Sequence, residues 1–125
     1  MAHDSHFHFS RHRHAAALRG LGALRTLREF ERRHLDFCRT VQDRDLLCEI
    51  GYHQLTGRPL AQKQLFLLDL GSVATVQRRL RRLRRLGAIQ QQRCQHDRRA
   101  VEFVASGKVL AAFARYGELL GTNAS

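Results

Sequence analysis

Arginine side chains dominate one stretch of the sequence, from residue 72 to residue 99. Nine arginines fall between Arg78 and Arg99, and Asp97 is the only acidic residue among them. A guanidinium group forms paired hydrogen bonds with phosphate oxygens and guanine edges, which an ammonium group cannot match. So dense a positive charge, without acidic residues to neutralise it, indicates a polyanionic partner.

The whole chain shares this bias, since its 125 residues include 22 Lys and Arg against 11 Asp and Glu. A length of 125 residues excludes two full domains, and a hydrophobic content of 43% allows one real core and excludes a wholly disordered chain. The apolar runs are too short to cross a bilayer, so we expect no membrane association and a cytoplasmic protein. Three cysteines without a CxxC pair argue against a disulfide framework and predict reduced thiols.

Helical periodicity and breaking residues divide the chain into five predicted helices and one hairpin. The predicted helices cover residues 15–39, 40–57, 59–70, 72–86 and 106–120. Thr40 and Asp43 form a start signal for the second helix, and Gly71 separates the third from the fourth. Two helices joined by so short a turn indicate a helix-turn-helix. After Gly87, two segments around the polar tip QHDRR alternate as hairpin strands do.

In the fourth predicted helix, the apolar residues fall on one face and leave the arginines outside. That apolar face consists of Val73, Val76, Leu80 and Leu83. Around this helix lie several further segments. They are PLAQKQL at 59–65, LG at 70–71, ATVQRRLRRLRRLGAI at 74–89, HDRRAVEFV at 96–104, and the Ser-Gly pair at 106–107. Together these segments resemble those of MarR-type transcription regulators. The resemblance implies a mainly α, winged helix-turn-helix fold with a two-stranded β-hairpin wing. It also implies a homodimer that binds double-stranded DNA sequence-specifically and regulates transcription.

The resemblance further implies which residues meet DNA. The fourth helix would enter the major groove, where Ala74, Thr75, Gln77 and Arg78 would reach base edges. Gln77 suits adenine and Arg78 suits guanine. Ser72 would cap the helix or face a phosphate, and Arg81 and Arg82 would meet phosphates.

At the wing, Arg98 or Arg99 would enter the minor groove, and the sequence does not decide which. Asp97 would hold that arginine or the hairpin backbone, or simply make a turn.

The chain ends suggest two further roles. Residues 1–14 carry five of the eight histidines, and we interpret them as a mobile His/Arg-rich arm, with a metal site as the alternative. Residues 15–125 would form the winged-helix DNA-binding domain. Apolar stripes at 18–30 and 109–120 would supply terminal dimerisation helices, unless they pack on the protomer's own core.

Other function classes are less well supported by the sequence. No nucleophile motif, phosphate loop or HExxH pair is present, so neither an enzyme nor a cofactor is expected. A metal- or thiol-responsive sensor stays open, because His34 and Cys38 are spaced to share a helix face and Cys94 lies near His96. An arginine-rich RNA-binding module is the remaining alternative. The operator, the direction of regulation and any small-molecule effector cannot be read from the residues.

Overall fold

The computed structural model describes residues 10–124 and is mainly helical, with one small sheet. Its elements are α1 (Arg11–His34), α2 (Val41–Leu55), β1 (Leu60–Ala61), α3 (Gln62–Phe66), α4 (Val73–Arg85), β2 (Ile89–Arg93), β3 (Val101–Ala105) and α5 (Gly107–Ala124). The chain forms two compact units, Met1–His34 and Leu35–Ser125. Helix α1 is the described part of the first unit, and all other elements belong to the second.

Helix α1 differs from its predicted bounds at both ends. It begins at Arg11, so the last residues of the predicted arm are helical, whereas residues 1–9 lie outside the described part of the chain. It ends at His34 because the backbone turns there, and the Cys38 N–H donates to the Leu35 carbonyl. The expectation that His34 and Cys38 share a helix face is therefore wrong, since Cys38 lies in the following loop.

Helix α2 begins where the sequence predicted. The Thr40 hydroxyl accepts from the Asp43 N–H, while the Asp43 carboxylate accepts from the Thr40 N–H, which completes a capping box. At the other end, Gly57 has a φ of 88°, and the Arg58 N–H donates to the His53 carbonyl. These two features form a glycine-terminated helix end. Glycine adopts the positive φ that this end requires at a lower free-energy cost than residues with a Cβ atom.

The third predicted helix is shorter than expected. Leu60 and Ala61 are extended because they pair with Phe103 and Glu102 of β3, so α3 begins only at Gln62. The prediction of a helix over residues 59–70 was wrong at both ends. Local periodicity carries no information about a strand partner forty residues away.

Helix α4 and the hairpin confirm the sequence prediction and are directly joined. The helix ends at Arg85, and beyond it the Gly87 N–H donates to the Arg84 carbonyl and the Ala88 N–H donates to the Leu83 carbonyl, with Gly87 at a φ of 74°. The chain then enters β2, which pairs antiparallel with β3. Strand β1 adds to the other edge of β3, so the sheet order is β1-β3-β2.

The core of the second unit lies between α2, α4, α5 and the sheet. Its buried apolar residues are Leu35, Phe37, Leu46, Leu47, Ile50, Leu60, Leu65, Val76, Leu80, Leu83, Ala88, Ile89, Phe103, Ala105, Val109 and Ala112. The apolar stripes of α2 and α4 thus face inward, except that Leu55 and Val73 are exposed. Among residues 10–124, no helix is long and apolar enough to cross a membrane.

Gln54 joins α2 to the end of the central strand. Its Oε1 accepts from the Ala105 N–H at 2.7 Å, and its Nε2 contacts the Ala105 carbonyl at 3.5 Å. Because Ala105 is buried, its N–H has no ready access to water.

We expect Gln54→Ala to lower the free energy of unfolding by about 1–3 kcal/mol, because it leaves the buried Ala105 N–H without an acceptor. Urea unfolding followed by far-UV circular dichroism measures this change. Gln42→Ala, at an exposed position in the first turn of α2, is the matched control. Equal unfolding midpoints for the two variants would contradict the assignment.

Candidate nucleic-acid interface

The amino end of α4 is a well-formed helix cap. The Ser72 hydroxyl accepts from the Thr75 N–H at 3.2 Å and donates to the Thr75 hydroxyl at 2.9 Å. Ser72 therefore has the capping role that the sequence predicted. Thr75 is only half-exposed, and its hydroxyl already accepts one hydrogen bond, so its methyl group and remaining donor are what it can offer a ligand.

Beyond the cap, α4 turns its polar side chains outward. Ala74, Gln77, Arg78 and Arg81 are all exposed. A shallow depression of about 220 Å³ separates the helix from the sheet and is lined by Gln62, Gln77, Leu80, Arg81, Arg84, Gln91 and Phe103. A second depression, of about 630 Å³, is lined only by Arg78, Arg81, Arg84 and Arg85.

The tip of the hairpin is held by its one carboxylate. Asp97 Oδ1 accepts from the Arg99 N–H at 3.0 Å, and the Asp97 carbonyl accepts from the Ala100 N–H. The Arg93 guanidinium donates to the Arg98 carbonyl at 3.1 Å. Asp97 thus supports the hairpin backbone, one of the roles left open above, and leaves the exposed side chains of Arg98 and Arg99 unpaired with it.

Helix α3 connects the arginines of α4 with those of the wing. Gln62 lines the depression beside α4 and also a neighbouring one of about 540 Å³, to which Lys63 and Arg99 contribute. The amino end of α3 therefore lies between Arg81 on one side and Arg99 on the other. Arg81 and Arg84 of α4 and Arg99 of the wing thus line two depressions that share Gln62.

Six arginines of α4 and of the wing are exposed, and none pairs with a carboxylate among residues 10–124. They are Arg78, Arg81, Arg84, Arg85, Arg98 and Arg99. The charge density that the sequence predicted is therefore displayed to solvent, where an external anion can reach it.

Arg82 departs from the expectation of a phosphate contact. Its Nη1 lies 3.1 Å from Asp43 Oδ2, and its side chain is only 18% exposed. Arg79 behaves alike, because its Nη1 lies 3.3 Å from Asp43 Oδ1 and donates to the Thr40 hydroxyl at 2.7 Å. These two arginines hold α4 against the start of α2, and Arg82 is an ion-pair partner of Asp43 within the protein.

The sequence reasoning missed Asp43, Arg79, Gln62 and Lys63 as parts of this region. Asp43 was interpreted only as a helix-start residue, although its carboxylate is buried. One signal was available: Arg79 and Arg82 are three residues apart, so they share a helix face and can converge on one acceptor. Which acid they would meet depends on tertiary packing and cannot be read locally.

The residues proposed for a sensor do not converge. Within the described part of the chain, no three His, Cys, Asp or Glu side chains lie close enough to hold a metal ion. The His34 ring instead packs on Phe30, with ring centroids 4.6 Å apart. Cys94 is a free, half-exposed thiol at the end of β2.

The element order and the antiparallel wing define a winged helix-turn-helix protein. No family model matches the sequence, and no curated protein matches it.

Solved structures are similar in fold. An S. aureus MepR F27L mutant bound to an oligodeoxyribonucleotide is 16% identical, with a TM-score of 0.66 over 94% of this chain and 83% of that one. Streptococcus pneumoniae FabT in complex with DNA is 18% identical, with a TM-score of 0.58 over 92% and 79%. AbsC, a MarR family transcriptional regulator from Streptomyces coelicolor, is 17% identical, with a TM-score of 0.54 over 90% and 75%. The chain therefore has the winged-helix fold of MarR-type regulators, as the sequence resemblance implied.

Proposed function

We propose that this protein is a homodimeric transcription regulator that binds double-stranded DNA sequence-specifically. The observation that carries the proposal is the set of exposed arginines on α4 and on the wing, of which Arg81 and Arg99 line two depressions that share Gln62. Two similar folds, MepR and FabT, are described in complex with DNA. Those structures support a duplex as the polyanion, in preference to RNA or lipid.

Helix α4 has the dimensions and chemistry to occupy a major groove. Its exposed first turns offer Gln77 and Arg78, whose side chains suit adenine and guanine edges respectively. Arg81 follows one turn later and suits a phosphate. Thr75 can contribute its methyl group to a thymine contact, while Ser72 keeps its capping role.

The wing is suited to the neighbouring minor groove. Its tip is short, exposed and stiffened by the bond from the Arg99 N–H to Asp97. Arg99 is the better candidate for insertion, because it lines a depression together with Gln62 of α3, and Gln62 also lines the depression beside α4. Arg98 would then contact the backbone outside the groove.

Exposed leucines support the homodimer. Leu18, Leu21 and Leu24 of α1 are 64%, 61% and 64% exposed and recur every third residue. Leu119 and Leu120 near the end of α5 are exposed as well. Such apolar stripes are costly to leave in water, and two-fold pairing of protomers would bury them. The pairing would also place two copies of α4 one turn of the DNA double helix apart.

Duplex binding should weaken steeply with salt. If four to six phosphates are met per protomer, log K should fall against log salt with a slope of roughly −4 to −5 per protomer. Fluorescence anisotropy with labelled duplex DNA, hairpin RNA and anionic vesicles measures this. A flat salt response, or tighter binding to RNA or vesicles than to duplex, would refute the proposal.

Arg78 and Arg81 should affect binding differently. With a site selected from random duplexes, Arg78→Ala should lower the preference over scrambled DNA by about 5- to 100-fold, because one paired base contact is lost. Arg81→Ala should weaken both duplexes alike and make the salt slope shallower by about 1. Identical effects of the two variants would show that the base and phosphate roles are wrongly assigned.

Leu21→Glu should dissociate the dimer. Placing a charge in an apolar interface at two symmetry-related positions should raise the dimer dissociation constant at least about a hundredfold. Sedimentation velocity over a concentration series measures the change. Ala23→Glu carries the same charge on the opposite side of α1 and should remain dimeric. A wild-type protein that is monomeric at every concentration would remove the dimer from the proposal.

A further inference from the structure

The buried carboxylate of Asp43 is the meeting point of α2 and α4. Its side chain is 2% exposed and accepts hydrogen bonds from the Arg39 and Thr40 N–H groups at 2.8 and 3.2 Å. It also contacts one Nη1 atom from each of Arg79 and Arg82. Both oxygens of the carboxylate are therefore engaged. The amides of the helix cap hold the carboxylate in place independently of the two arginines.

This arrangement divides the arginines of α4 into two groups. The helix carries six, at positions 78, 79, 81, 82, 84 and 85. Two of them, Arg79 and Arg82, have side chains only 23% and 18% exposed and are directed towards Asp43. Arg79 Nη1 is also held by the Thr40 hydroxyl at 2.7 Å. The other four arginines are exposed.

The division matters because charge and sequence reading have different effects on DNA binding. Every arginine that reaches a phosphate strengthens binding to all sequences alike and steepens the salt dependence. Only base contacts strengthen binding to one sequence. A regulator must find its site among a large excess of other DNA, so added phosphate contacts do not improve discrimination.

Two ion pairs spaced three residues apart also fix the rotation of α4 about its own axis. That rotation decides whether Gln77 and Arg78 point outward from the protein. A helix held only by its apolar stripe would have more rotational freedom, since apolar contacts are non-directional. The Asp43 contacts are directional hydrogen bonds to charged groups.

We infer that Asp43 is a specificity-determining residue that never touches DNA. It withholds Arg79 and Arg82 from phosphates and fixes the orientation in which α4 presents Gln77 and Arg78. This inference rests on the proposed DNA-binding function.

Asp43→Asn tests this inference. The inference predicts tighter binding to scrambled duplex, whereas damage to the fold would weaken binding. Asparagine keeps an acceptor for the Arg39 and Thr40 amides but no longer neutralises the two arginines. Binding to scrambled duplex should become tighter at low salt, and its salt slope steeper by about 1 to 2 per protomer. The preference for the selected site should fall at least about tenfold.

Asp45→Asn is the matched control, because it removes one negative charge from the same helix. Asp45 pairs with Arg44 at 3.6 Å, and its side chain is 43% exposed. This variant should keep the salt slope within about 0.5 of the wild-type slope and the site preference within about twofold. An Asp43→Asn protein that binds every duplex more weakly, or that matches Asp45→Asn, would overturn the inference.

A neighbouring pair of arginines gives a second test that does not depend on Asp43→Asn folding. Arg79→Gln leaves Arg82 paired with Asp43 and can still donate to Thr40, so the salt slope should be unchanged. Arg81→Gln, two residues later and exposed, should make the slope shallower by about 1. Equal salt slopes for the two variants would show that Asp43 does not keep Arg79 away from the phosphates. If wild-type protein shows no salt-dependent duplex binding, the proposed function itself fails, whatever these variants do.

Discussion

One buried ion cluster joins α4 to the start of α2. Asp43 Oδ2 accepts from the cap amides of α2 and from Arg82 of α4, and Asp43 Oδ1 accepts from Arg79. Removing a carboxylate from water costs free energy that good geometry and full hydrogen bonding must offset. Here the cap amides and two guanidinium groups provide those bonds. The orientation of α4, and with it the exposed arginine surface, depends on this cluster.

The wing depends on α4 in turn through backbone connections. The glycine-terminated end of α4 leads through Gly87 directly into β2, and β3 returns from the tip beside it. Strand β1 then fixes the amino end of α3 to the same sheet. Because these links are short, the positions of Arg81, Gln62 and Arg99 are coupled, which is what a surface must provide to contact two grooves of one duplex.

The sequence predicted those parts of the fold that local signals determine. The α2 cap, the α4 apolar stripe and the hairpin each have a signature within a few residues, and all three were correct. The β1 pairing and the short α3 were missed, because Leu60 becomes a strand residue only through Phe103. Within the candidate site, the exposed arginines were found from composition and periodicity. The inward orientation of Arg79 and Arg82 was not predicted. The sequence does not show whether an arginine side chain is surrounded by water or paired with a carboxylate from another helix.

Helix α2 is bonded at both ends to the two elements that face the proposed ligand. Asp43 joins it to α4, and Gln54 joins it to the end of β3. These residues are eleven positions apart, which is about three helical turns and about 17 Å, so both side chains leave α2 from nearly the same side. Inserting one residue between them would rotate one attachment by about 100° relative to the other. The number of residues between Asp43 and Gln54 can therefore change only by about a whole helical turn if α2 is to keep both its attachment to α4 and its attachment to β3.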